Sequence, residues 1–317
     1  MKIAPYGTWA SPIGVDVVAS LGGGPLWTTL VDGQAWWAEA RPAEGGRLAL
    51  CRPAKDGTTQ DVLAAPWNVR NRIHEYGARP WTIVATPAGR RLVFTHWDDQ
   101  RLYILNPDDP GEPAPISPQP ERRHGYRYGD AVGGPDGTEV WCIRETVTGD
   151  LPTDIRRDLV AIKLDGSGDT RTLAASHHFL TGPRLSPDGQ RVAWLGWNHP
   201  AMPWDGTELC VADVHLDGTL SRHRVVAGGP TEAVCQAEWD GNDSLIALTD
   251  PHGWWNLFHV DPNGADKPVN LAPTKHDLGG PMWKVGMRWF AVLGGGRYAV
   301  LRAGRLAVLD ARAGTIT

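Results

Sequence analysis

Two stretches concentrate side chains able to do chemistry. Arg70-Asn71-Arg72-Ile73-His74-Glu75-Tyr76-Gly77 alternates guanidiniums with an imidazole and a carboxylate, and Arg79 follows closely. Such a set can grip a carboxylate bidentately through arginine, or join His74 to Glu75 as an acid–base pair. It can equally form an internal salt-bridge network that braces neighbouring elements. The second stretch is Trp197-Asn198-His199-Pro200-Ala201-Met202-Pro203-Trp204-Asp205-Gly206-Thr207. Its prolines stiffen it, and Met202 and Trp204 offer apolar surface beside His199 and Asp205. It suits contact with another domain, a substrate mouth, or packing on its own sheet. Trp97-Asp98-Asp99-Gln100-Arg101 and Asp250-Pro251-His252-Gly253-Trp254-Trp255-Asn256 read as turn and capping segments. His177-His178 lacks a further Cys, His or Asp at ligand spacing, so no metal is expected.

Several chemistries are excluded. No G-x-S-x-G nucleophile elbow occurs, and Ser167 and Ser186 lie in Gly/Pro turns, so no residue receives a catalytic role. H-E-x-x-H, phosphate-loop and EF-hand patterns are missing, and Leu21-Gly22-Gly23-Gly24-Pro25 lacks a following helix and lysine. No cofactor is therefore expected. The 31 Lys and Arg face 36 Asp and Glu, a net charge of -5, the wrong sign for a nucleic-acid partner. No apolar run reaches the ~18–20 residues of a membrane helix, and Met1-Lys2-Ile3-Ala4-Pro5-Tyr6-Gly7 has no secretory hydrophobic stretch. Cys51, Cys142, Cys210 and Cys235 stand 91, 68 and 25 positions apart, which matches no zinc, redox or disulfide pattern. Reduced thiols, a cytoplasmic location and no membrane partner are the expectations.

The elements that must position these residues emerge from a repeat. At 317 residues the chain exceeds an ordinary domain of ~100–200. Helical periodicity is scarce, and short β-rich runs bounded by turn residues dominate. Gly33, Gly89, Gly137, Gly189, Gly241 and Gly295 sit in turns 56, 48, 52, 52 and 54 residues apart. After each turn comes one β run (Gln34–Glu39, Arg91–Thr95, Glu139–Glu145, Arg191–Trp197, Ser244–Thr249, Arg297–Arg302) and then a second. The second runs are Arg47–Cys51, Arg101–Leu105, Leu159–Leu164, Glu208–Val214, Asn256–Val260 and Arg305–Leu309. A propeller blade of four strands takes roughly 40–50 residues, so the sequence predicts an all-β propeller of six recognisable blades in one domain, 1–317. The 16 Trp against 4 Phe and 6 Tyr supply flat rings to fill the space between sheets. The Arg70–Gly77 segment is expected to enter the inner strand of the second blade and line a tunnel. The last unit stops at Thr317, so either its outer strand is short or the natural sequence continues.

His74-Glu75-Tyr76-Gly77, Asp99-Gln100-Arg101-Leu102-Tyr103, Ser186-Pro187-Asp188-Gly189 and Gly253-Trp254-Trp255-Asn256-Leu257 resemble the N-terminal β-propeller of prolyl oligopeptidase family serine peptidases. So do His199-Pro200-Ala201-Met202-Pro203-Trp204-Asp205-Gly206-Thr207-Glu208-Leu209, the opening Tyr6–Ile13 and Glu39–Arg47. The similar branch is the bacterial dipeptidyl aminopeptidase/acylaminoacyl-peptidase group. The resemblance implies a propeller, usually of seven blades, capping an α/β-hydrolase domain so that short peptides alone reach the serine. The partners it implies are that hydrolase domain, in cis or in trans, and short peptides. Within it, Arg70, Arg72, His74, Glu75, Tyr76 and Arg79 would line the tunnel or bind substrate. His199, Met202, Trp204 and Asp205 would sit at the rim contact. Two departures are Ala78-Arg79, where the family tends to have glycines, and Ser176-His177-His178-Phe179. They keep two alternatives open: a free-standing binding or scaffold propeller, and a small-molecule enzyme using His74 and Glu75.

Overall fold

The Asp-Gly turns of the repeat form because an aspartate carboxylate caps the backbone two residues on. Asp136 Oδ1 accepts from Thr138 N at 2.9 Å and Asp188 Oδ1 from Gln190 N at 3.0 Å. Gly137, at φ 69°, also passes so close to Ala85 that a Cβ would stand 2.3 Å from its carbonyl oxygen. The computed structural model describes residues 3, 5–9, 11–20, 23–109 and 111–317. Met1, Lys2, Ala4 and Ala10 of the opening segment, and Leu21 and Gly22 of the glycine-rich stretch, lie outside the described residues.

Six four-stranded antiparallel sheets, the blades of a six-bladed β-propeller, account for the chain. Blade one comprises Leu26–Val31, Gln34–Arg41, Arg47–Pro53 and Thr59–Asp61. Blade two comprises Trp81–Thr86, Gly89–Thr95, Leu102–Leu105 and Ala114–Pro115, and blade three Tyr126–Gly133, Glu139–Val147, Ile155–Lys163 and Thr170–Ala174. In blade four the first strand is broken into Phe179–Leu180 and Arg184–Leu185, followed by Arg191–Trp197, Thr207–Asp213 and Arg224–Gly229. Blade five comprises Val234–Trp239, Leu245–Thr249, Asn256–Val260 and Val269–Asn270; blade six comprises Phe290–Gly294, Arg297–Arg302, Arg305–Asp310 and Thr315–Ile316. The six blades expected from the turn spacing are thus the six observed among the described residues, and the last strand of blade six, Thr315–Ile316, is two residues long.

The chain divides into two compact units, residues 1–69 and 70–317. The first holds blade one and a helix, Val15–Ser20. There Arg47, buried, binds Asp61 at 2.8 Å and the carbonyl of Trp67 at 3.2 Å, tying the two outer strands of the blade to the segment that follows them. The second unit holds blades two to six. Trp81, Trp141 and Trp194 are almost wholly buried in it, and Trp141 and Trp194 satisfy their N–H groups on Glu139 Oε2 and Ser176 Oγ, both at 3.1 Å.

The first strands of the second unit meet at a buried ion cluster. Asp130, fully buried, receives both oxygens' worth of contact from Arg184 Nη2, at 3.0 and 3.1 Å, and lies 3.3 Å from Arg79 Nε. Gly182 N donates to Asp130 Oδ2 at 2.9 Å, and Arg79 Nη2 donates to Ala131 O at 2.8 Å. Arg79 N in turn donates to Val285 O, and Ala78 pairs with Val285 in a parallel bridge. Gly182 is required here, since a Cβ would fall 1.9 Å from Asp130 O. Burial pushes the Asp130 carboxyl up, but the Arg184 and Arg79 guanidiniums outweigh it and hold it below the ordinary carboxylate range. Burial draws Arg79 down to about 10.

Removing one member of a buried pair typically costs about 3–5 kcal/mol, because a charge is left uncompensated. Asp130→Asn should lower unfolding stability by roughly that amount, read from urea denaturation. The folded carboxyl titrates below its unfolded value, so its contribution is complete above about pH 4 and fades as pH falls through the folded pKa. The variant should show a shallower acid-side loss of stability than the parent.

Candidate functional site

The Arg70–Gly77 segment is a tight turn ahead of the first strand of blade two, and this corrects its expected placement inside that strand. The reason is local. Asn71, buried, accepts from Ala78 N at 2.8 Å and Ile73 N at 3.3 Å and donates to Ala78 O, so its amide closes the turn. His74 and Glu75 consequently take φ of 50° and 63°, a left-handed backbone that no strand accommodates. Gln100 Oε1 accepts from Arg72 N at 2.8 Å, and the fully buried Glu145 accepts from His74 N at 3.1 Å.

This turn separates the residues that the sequence grouped. Arg70 and Arg72 lie over the Trp97 ring, at 4.3 and 5.7 Å from its centre. The Glu75 carboxylate is taken by Arg72 and Arg127, and the carboxylate nearest the His74 ring is Glu145, 4.0 Å from Nε2. The arrangement therefore does not pair His74 with Glu75. Arg79 is absorbed in the ion cluster with Asp130. Of the first group, His74 and Tyr76 line a cavity.

The second stretch supplies the opposite wall. It joins the second and third strands of blade four, where Met202 N donates to Asp205 Oδ2 at 2.8 Å and Thr207 Oγ1 to Pro203 O at 2.6 Å. Asp205 is thus a brace of the loop. His199, Met202 and Trp204 line the cavity of about 220 Å³ together with His74, Tyr76 and Trp283. His74 and His199 are 125 positions apart in the chain. The floor is a stacked pair, Phe179 and Trp197, with ring centres 5.4 Å apart, and His74 stands edge-on to both at 5.3 and 5.5 Å. Burial, and then the Arg157 cation lying over Phe179, push the His74 imidazole down to about 3. It is neutral at any physiological pH, and its buried Nε2 has no hydrogen-bond partner.

A second cavity of about 500 Å³ shares Trp204 and Trp283 with the first and adds Trp255, Asp250 and Asp277. Trp204 and Trp283 approach to 4.6 Å, and Trp283 meets Tyr76 edge-on at 5.9 Å. Asp277 Oδ1 accepts from Trp255 N at 3.1 Å, while Asp250 Oδ1 accepts from Ala233 N at 2.6 Å. Neither carboxylate has an ion-pair partner among the described residues. Burial raises the Asp250 pKa, and Glu232 and Asp277 nearby add to it. Indole faces beside uncompensated carboxylates form a cation-attracting surface. Sequence reasoning did not single out Met282, Trp283 or Asp277. They lie in an irregular segment before blade six, where no periodicity marks them.

The four cysteines are free and buried. Burial pushes the Cys51 and Cys210 thiols up to about 12.

A scan against protein-family models gives no match, and a search of curated proteins gives none. Among solved structures, a puromycin hydrolase is 46% identical with a TM-score of 0.91, over 100% of this chain and 50% of that one. A Mycobacterium tuberculosis puromycin-hydrolyzing peptidase is 40% identical with a TM-score of 0.88, over 99% of this chain and 49% of that one. Prolyl oligopeptidase B from Galerina marginata, 14% identical over 94% of this chain and 43% of that one, shares the fold at a TM-score of 0.60. The chain spans about half the length of the first two.

Protonation of His74 is opposed in the folded state but free in the unfolded chain. The unfolded chain therefore takes up a proton between about pH 6.5 and 3 that the folded chain refuses, and stability falls as pH drops through that window. His74→Gln should remove up to ~1.4 kcal/mol per pH unit of that slope, measured by urea unfolding between pH 7 and 4.

Proposed function

The chain belongs to the prolyl oligopeptidase family, as a six-bladed propeller half, and on that premise we propose that it caps a serine hydrolase domain and orients short peptides for cleavage. The observation that carries this reading is the match of the entire chain to one half of puromycin-hydrolysing relatives, which carry a hydrolase domain in the same chain. The propeller contributes no nucleophile. Its part is to exclude bulky chains and to position those that enter, which lowers the barrier by orientation rather than by bond chemistry.

The paired cavities support this role. The space lined by His74, Met202 and Trp204 is apolar enough to accept an aliphatic or aromatic side chain. The adjoining space, with Asp250 and Asp277 among three indoles, suits an ammonium group. A short peptide with a free amino terminus offers both groups within one residue. His74, held neutral, adds an uncharged nitrogen to the apolar wall, so a side chain entering there meets no fixed charge from it.

Two measurements test the reading. The 317-residue chain alone should release nothing from aminoacyl naphthylamides, whereas the chain joined to its hydrolase domain should do so; turnover by the propeller alone would refute the cap role. In the joined protein, Asp250→Asn with Asp277→Asn should raise KM for free-amine peptides by about tenfold or more, the equivalent of ~1.4 kcal/mol. The same change should leave KM for N-acetylated peptides nearly unaltered. Trp204→Ala should raise KM for both.

A further inference from the structure

We propose that blade four carries a binding site for a divalent cation of the zinc class, with His177 Nε2, a Glu208 carboxylate oxygen and Cys210 Sγ as its ligands. It lies apart from the two cavities and does not depend on the capping role. The donor atoms all fall within 4.8 Å of one another. Glu208 and Cys210 are two residues apart on the strand Thr207–Asp213, so they share a face. His177 comes from the segment entering the first strand of the blade and is laid over that face.

The seat of His177 is specific. Gly196 pairs with Glu208 across the sheet, and a Cβ at Gly196 would stand 2.2 Å from His177 Nδ1. Only a glycine leaves room for the imidazole there. Its orientation is fixed from behind: Nδ1 lies 2.8 Å from Ser176 Oγ, which receives the Trp194 indole N–H at 3.1 Å. Ser176 Oγ can accept a second hydrogen bond from Nδ1–H, and that tautomer leaves the Nε2 lone pair for a metal. The 3.0 Å contact of Nε2 with Glu208 Oε2 belongs to the other neutral tautomer, in which Nε2–H donates to the carboxylate and Ser176 Oγ–H donates to Nδ1; a metal at Nε2 shifts that proton to Nδ1.

The donor set selects the ion. One sulfur, one imidazole nitrogen and one carboxylate oxygen fit zinc or cobalt, and do not fit calcium or magnesium, which require oxygen ligands. Thiolate and carboxylate together neutralise a divalent charge, so the filled site is electroneutral, with Cys210 buried and the Glu208 side chain partly exposed. Binding forms the metal–sulfur bond as the Cys210 S–H bond breaks, and the proton passes to the buffer. Bonds of ~2.0–2.3 Å require the donors to draw in by roughly 1 Å. The fourth position is flanked by His223, whose ring centre is 6.3 Å from that of His177. The His177-His178 pair lacks a third ligand along the sequence; the fold brings two from the third strand of the blade.

The test is a Co2+ titration of the purified 317-residue chain, followed by the thiolate-to-cobalt charge-transfer absorption in the near ultraviolet. A band that saturates at one equivalent and is displaced by Zn2+ is expected. Cys210→Ser should abolish it, and Cys51→Ser should retain it. Ser176→Ala, which removes a group behind the ligand and none of the three donors, should weaken cobalt binding by about 10–100-fold while circular dichroism stays unchanged. The absence of a band from the parent, or its persistence in Cys210→Ser, would overturn the site.

Discussion

The second unit of this propeller depends on one carboxylate, Asp130, shared between two arginines from other blades. A blade exposes both faces and gains stability only against its neighbours. Where first strands converge, backbones approach closely and large apolar side chains do not fit. Glycines at 129, 182 and 286 occupy the closest approaches, and a Cβ at Gly129 would stand 2.8 Å from that of Ala78. Charge then does what apolar packing cannot. Arg184 grips both oxygens of Asp130, while Arg79 reaches past it to the Ala131 carbonyl. The cluster carries one cation more than anion, and Glu238 is among the charges acting on both arginines. These contacts tie the segment ahead of blade two and the first strand of blade four to the first strand of blade three.

The same logic, one layer outward, builds the pocket. Glu145 accepts from the His74 backbone and from Arg157 Nε at 2.7 Å, so one buried carboxylate sets the turn and the cation together. Arg157 then lies 4.5 Å from the Phe179 ring, and Phe179 stacks on Trp197. His74 is wedged against both rings beside that fixed positive charge. Its neutrality is therefore a product of the scaffold. An imidazole that resists protonation keeps the cavity wall apolar over the range in which a free histidine would switch.

Much of the fold was legible because its signals are local. Arg191–Trp197, Asn256–Val260 and Arg297–Arg302 agree with observed strands to the residue, since each follows a turn whose glycine or aspartate fixes the chain direction. The Arg70–Gly77 segment was misplaced because the residue that bends it, Asn71, works through Ala78 and Thr95, and nothing in the local pattern marks an amide for that task. His74 and Glu75, adjacent in sequence, serve different partners for the same reason. The convergence of His74 with His199, Met202 and Trp204 was not legible at all. It arises from blade geometry across more than a hundred residues, although both stretches were identifiable separately by composition.

The two cavities differ in character yet share Trp204 and Trp283 as a wall, and that shared wall bears on the proposed selection of substrate. Trp204 rides on a loop braced by Asp205, whereas Trp283, half exposed, belongs to an irregular segment whose Val285 is pinned to Arg79. A ligand pressing on the indole pair from the acidic side therefore pushes against a braced loop on one flank and the central ion cluster on the other. In the proposed role, a molecule that satisfies both cavities at once is favoured over one that fills either alone. Selection of this kind rests on how the partition wall is held more than on many contacts, and the backbone of Val285, two residues from Trp283, is bonded to Arg79 of the Asp130 cluster.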